Sequence, residues 1–156
     1  MNVEIIETIP SAVYQGRVHT QTVVMELESE ERLRVDDPVR KCDDRYISES
    51  VEVSISSDIA QSVEFTDADK TAIEPFDIER GAGIDVLNTE IIDMLEKQAE
   101  EWTAILAIPG GELKFTFNMP KLIEQIPDDY EPEIGDSLKL ESISFITIDS
   151  IEFAGD

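Results

Sequence analysis

Apolar and polar positions alternate most clearly in Val-Glu-Val-Ser-Ile, residues 51–55, where Val51, Val53 and Ile55 share one face of a strand. The same period runs through Leu113, Phe115, Phe117 and Met119, with Lys114, Thr116 and Asn118 on the other face. Residues 3–9 read as a short strand ended by Pro10. Residues 12–27 read as a long strand, which the acidic turn 28–31 joins to Arg-Leu-Arg-Val in a hairpin. A further short strand is expected at 62–66. In the closing stretch Leu138 and Leu140 hold one phase and Ile143 and Phe145 the other, which calls for a bulge near Glu141–Ser142.

One segment departs from this period. Leu87, Ile91, Met94, Leu95 and Trp102 recur at helical spacing behind Asp85, a capping residue, with Glu90, Asp93, Glu96, Lys97, Glu100 and Glu101 on much of the opposite side. The spacing predicts a helix at about 85–101. Residues 36–50 show little periodicity and read as a long charged loop. The pattern as a whole predicts a mainly β fold, sandwich- or barrel-like, with one flanking α-helix. It is expected to form one domain over residues 1–156.

Charge changes this picture most. The 36 acids against 12 lysines and arginines give a net charge of −24, spread evenly as 19 acids in residues 1–80 and 17 in 81–156. Such a surface repels itself in dilute buffer, and salt relieves it because the Debye length falls to about 3 Å at 1 M. A saline habitat accounts for this composition without any functional claim. The alternative is that the charge is the function, as in an acidic inhibitor or immunity-type protein that mimics DNA and masks a basic partner. The 41% hydrophobic content, with twenty isoleucines, supplies a core and argues against disorder. No apolar run is long enough to span a membrane, and the N-terminus lacks the basic start and apolar stretch of a signal peptide, so a soluble protein is expected.

Candidate chemistry is sparse. The single Cys42 allows no internal disulfide and no multi-cysteine metal site, and His19, the one histidine, sits in a strand-like stretch. Gly81–Gly83 lacks the lysine and spacing of a phosphate loop. No catalytic residue, metal or cofactor is assigned. The one cationic cluster, Arg32, Arg34, Arg40, Lys41 and Arg45, is threaded with Asp36, Asp37, Asp43 and Asp44. That mixture suits pairing with a neighbouring acidic subunit better than sequence-specific nucleic-acid binding. In Ile126–Asp136 the carboxylates of Asp128, Asp129, Glu131, Glu133 and Asp136 are dense but miss the EF-hand spacing. Pro127, Pro132 and Gly135 make this segment a stiff connector into the next strand.

From the expected helix onward, the order is Thr103–Gly111, Glu112–Leu122, a proline-bearing connector 124–134 after Met119–Pro120, then Gly135–Asp136 and the strand from Leu138 to Ile148. This order resembles the C-terminal half of the tail tube proteins of long-tailed phages and related archaeal viruses. The resemblance implies a β-sandwich with a flanking helix and a non-enzymatic virion subunit of the tail or neck. Its partners would be copies of itself, in rings of six, and other virion proteins. Its location would be the virion tail, or otherwise the cytoplasm of a halophilic host. A carboxylate-lined lumen would let DNA slide without sticking.

Overall fold

The computed structural model describes residues 1–67, 70–77, 81–98, 100–118 and 132–154, apart from the side chains of residues 11–14 and 18–19. The described chain is mainly β. Strands β1 (Asn2–Tyr14), β2 (Arg17–Glu26) and β3 (Arg32–Asp37) are consecutive antiparallel neighbours. Strand β4 (Ser50–Ser57) returns beside β1, pairing Val3 with Val51, which is the Greek-key arrangement. The last strand, β11 (Thr147–Phe153), lies antiparallel to β4 and meets β3 in parallel at Thr147 and Asp36. The five strands thereby close into a ring, β1-β2-β3-β11-β4-β1, on the plan of small Greek-key barrels.

Alternation fills this barrel. Val3 and Ile5 of β1, Val23 and Met25 of β2, Leu33 and Val35 of β3 and Val51, Val53 and Ile55 of β4 all point inward and are buried. Such side chains stabilise by about 1.5–3 kcal/mol each when removed from water. Between β4 and β11 lie six more strands. These are β5 (Ser62–Phe65), β6 (Ala72–Pro75), β7 (Ile84–Lys97), β8 (Glu101–Ile108), β9 (Gly111–Asn118) and β10 (Ser137–Ile143). The first half of β7 pairs with β10 on one side and β6 on the other, and β10 carries β5. The second half of β7 continues into the β7-β8-β9 meander, which joins the barrel where Ser57 of β4 lies parallel to Phe115 of β9. One continuous cluster of buried side chains runs from Val3 through Phe117 to Ile148, so barrel and insert share a core.

The helix expected at 85–101 is not formed: residues 85–97 belong to β7, and Glu101 begins β8. Leu87, Thr89 and Ile91 are buried while Glu90 is exposed, which is strand alternation. Register shifts at Ile91/Asp93 and Met94/Glu96 then break the period of two. Two extra residues at those bulges moved the apolar positions to spacings of three and four, imitating a helix. The β-branched Ile84, Val86, Thr89, Ile91 and Ile92 favoured the strand.

Two further expectations change. Strand β1 runs through Pro10 to Tyr14, and the chain reverses at Gln15–Gly16 rather than continuing as one strand over 12–27. The closing stretch is two strands instead of one bulged strand. Ser142 takes φ 52°, near the expected irregularity, but a second residue, Phe145 at φ 52°, separates β10 of the insert from β11 of the barrel.

Candidate interaction surface

A two-stranded ribbon projects from the barrel. Strand β3 pairs with β2 from Glu26 only as far as Gln21, and β4 pairs with β1 only over Asn2–Glu4. Past the Pro10–Gln21 pair, β1 and β2 pair with each other alone among the described strands, through Ala12–Thr20, Val13–Val18 and Tyr14–Arg17. At about 3.3 Å per residue this extension reaches roughly 15 Å. Its tip is a two-residue turn with Gln15 at φ 51° and Gly16 at φ 76°, the conformation whose twist matches a hairpin.

The ribbon is held at its base. Gln21 is buried, and its Nε2 donates to Asp37 Oδ2 at 2.8 Å and to the Cys42 carbonyl at 2.5 Å. The fully buried Asp37 carboxylate also accepts the Lys41 and Cys42 backbone N–H groups, both at 2.8 Å. This knot pins the segment after β3 against the ribbon. Pro10 supplies no N–H, and register shifts at Ile5/Glu7 and Pro10/Ala12 distort the strand, so the β1 edge is a poor template for adding another strand.

Charge separates the ribbon from the body. Residues 8–25 contain no Asp or Glu; this run of eighteen is the longest without acid in the chain, ahead of the eleven at 113–123. Arg17 is exposed near the tip, and Ile9 is 42% exposed on the stem. The count of acids along the chain was the signal that sequence reasoning overlooked, because composition was weighed by halves and not by segments.

The five cations of the expected interface fall on β3 and the segment after it, and most have partners within the chain. Arg32 sits 3.5 Å from Glu26 across the β2–β3 pair, with 60% of its side chain exposed. Half-buried Arg34 donates to the Phe76 carbonyl at 3.5 Å. Arg40 is exposed in the turn at φ 54°. Lys41 Nζ donates to the Asp149 carbonyl at 2.5 Å. Arg45, in a 3₁₀ turn at Asp44–Tyr46, pairs with Asp43 at 3.0 Å and lies 5.4 Å from the Tyr46 ring centre. The hydrogen bond from Arg45 holds the Asp43 carboxyl below its ordinary range, and Asp43 in turn raises the Arg45 guanidinium. Burial raises the Asp36 carboxyl. Burial first, and the carboxylates of Asp37, Asp43 and Asp44 after it, push the Cys42 thiol up to about 12.

Of the acidic connector, Asp128, Asp129 and Glu131 lie outside the described residues. Asp136 Oδ2 accepts the Glu133 N–H at 2.7 Å and Asp136 N–H donates to the Glu133 carbonyl, so these two acids close a turn with Gly135 at φ 95°. A shallow depression of about 370 Å³ is lined by Glu4, Glu26, Glu28 and Glu30 beside Asn2 and Ser50. Among the described residues no group of three or more metal-ligating side chains converges on a point. The outer face of β2 and β3 alternates in sign: Glu26 opposes Arg32, and Asp36 follows Arg34. A continuous phosphate-binding stripe is not built there.

No known family pattern matches the chain, and no curated protein matches it in sequence.

Proposed function

We propose that the chain is a non-enzymatic structural subunit that works by self-association in high salt, as the tail tube or neck subunit of a tailed virus from a saline habitat. The observation that carries this reading is the acid-free ribbon on a body of net charge −24. Two such bodies repel over any acid-rich contact, and the ribbon is where a second copy can approach without opposing carboxylates. A strand pair that extends past the described barrel strands beside it also leaves an outer face on which an external contact can add stability. Arg32, Arg34, Arg40, Lys41 and Arg45 would contribute charge pairs at the rim of such an interface, each of small value because most are already paired and exposed.

Sedimentation velocity and electron microscopy of the full chain, from dilute buffer to molar KCl, test this. Closed rings or tubes that grow with salt are the expected result. A monomer at every salt concentration would overturn it. The acidic-inhibitor reading gives the opposite trend, since binding to a basic partner weakens as salt rises.

A further inference from the structure

We infer that the depression beside Phe145, at the seam between barrel and insert, is the seat for the ribbon of a second copy; the choice of occupant rests on the self-association proposed above. Phe145 is 65% exposed and holds φ 52°, a left-handed conformation that bulky residues rarely adopt. Glycine or asparagine would occupy that position without the same strain, so a phenylalanine turned to solvent there is costly twice over.

The surrounding backbone fixes it in place. Ser57 Oγ donates to the Ser144 carbonyl at 2.8 Å, Ser144 N–H to the Ile59 carbonyl at 3.1 Å, and Asp36 N–H to the Ile146 carbonyl at 2.7 Å. Ile59, 43% exposed, is bridged to Ser144, the residue before Phe145. Phe145 forms one wall of a depression of about 360 Å³, together with Lys114, Thr116, Thr147 and Asp58. An aromatic anchor beside a polar-rimmed hollow is the composition of an interface centre.

The occupant follows from charge. The hollow sets one acid, Asp58, against one cation, Lys114, so it is close to neutral on a body of net charge −24, and the acid-free ribbon with its exposed Arg17 brings no carboxylate towards it or the surface around it. Ribbon and hollow are different surfaces of one molecule. Their contact is therefore head-to-tail, which generates a ring or an open filament.

The test is complementation in molar KCl, read by sedimentation velocity. Phe145→Asn removes the anchor and suits the backbone, so the melting temperature of its monomer, compared in dilute buffer where the wild type is also monomeric, should not fall; Arg17→Glu places an acid near the ribbon tip. Each variant alone is expected to associate at least roughly tenfold more weakly than the wild type. Mixed together, they retain one intact ribbon and one intact seat, so heterodimers should form and stop there. Ile134→Ser, which removes another exposed apolar side chain, should leave association unchanged. Wild-type association with an unaffected Phe145→Asn would overturn the seat and leave self-association standing. A wild type that stays monomeric would overturn both.

Discussion

Replacing Asp37 by asparagine probes the knot on which the ribbon stands. The carboxylate is fully buried and accepts three N–H donors, from Lys41, Cys42 and the Gln21 side chain, each at 2.8 Å. An amide of the same shape keeps one accepting oxygen. If that oxygen faces Lys41, the new NH2 group opposes two donors; if it is flipped, the NH2 group opposes one. A hydrogen bond to a charged group contributes about 1.5–3 kcal/mol, and a buried donor left unpaired costs about 1–3 kcal/mol. Relief from burying a charge offsets part of this. The expected loss is about 2–4 kcal/mol, a large share of the roughly 5–15 kcal/mol that holds a domain together. Urea unfolding in molar KCl, followed by Trp102 fluorescence and circular dichroism, measures it. The midpoint should fall with an unchanged slope. Gln21→Leu should lose stability on its own, and the double variant should lose less than the sum of the two. A loss under about 0.5 kcal/mol for Asp37→Asn, the level of an ordinary surface change, would refute the hydrogen-bond accounting.

Three further outcomes are expected. The Cys42 thiol, pushed up to about 12, should resist iodoacetamide in the native protein at pH 8 and react once urea unfolds it. The native state keeps that proton after the unfolded thiol, near 9.0, has lost it, so its contribution is full below pH 9 and declines as pH rises towards 12. Between pH 8 and pH 10 the wild type should lose about 1.4 kcal/mol relative to Cys42→Ser in urea titrations. Gly83→Ala should cost more than about 2 kcal/mol, because Gly83 sits at φ 139° and an added Cβ would strike the Phe76 ring and the Ile143 carbonyl. Thermal unfolding of the wild type should shift upward by several degrees from dilute buffer to molar KCl, as screening relaxes the net charge of −24.

Strands with an unbroken period of two were legible in the sequence: Val51, Val53 and Ile55 face the barrel core, and Leu113, Phe115 and Phe117 face the core of the insert. Where bulges interrupt the period, as at Ile91/Asp93, the same reading produced a false helix. Barrel closure was not legible, because it depends on β11 lying between β3 and β4 after about ninety intervening residues, and no local pattern encodes such a pairing. The cationic cluster drew notice as rare charge in an acidic chain, yet Arg32, Lys41 and Arg45 have partners within their own chain. The ribbon drew none, although its mark, eighteen residues without an acid, lay open in the sequence. Of the carboxylates in Ile126–Asp136, Asp128, Asp129 and Glu131 lie outside the described residues. Glu133 and Asp136 serve a turn.

Shortening the ribbon tests the central claim most directly. A variant in which Asn-Gly joins Ser11 to Gln21 keeps the Pro10–Gln21 pair and the Asp37 knot while removing the extension of both strands beyond them. Sedimentation velocity in molar KCl should find the full chain assembled and the shortened chain monomeric, with the same circular dichroism and melting temperature for the monomer fold. Assembly of both to the same extent, or of neither, would contradict the account.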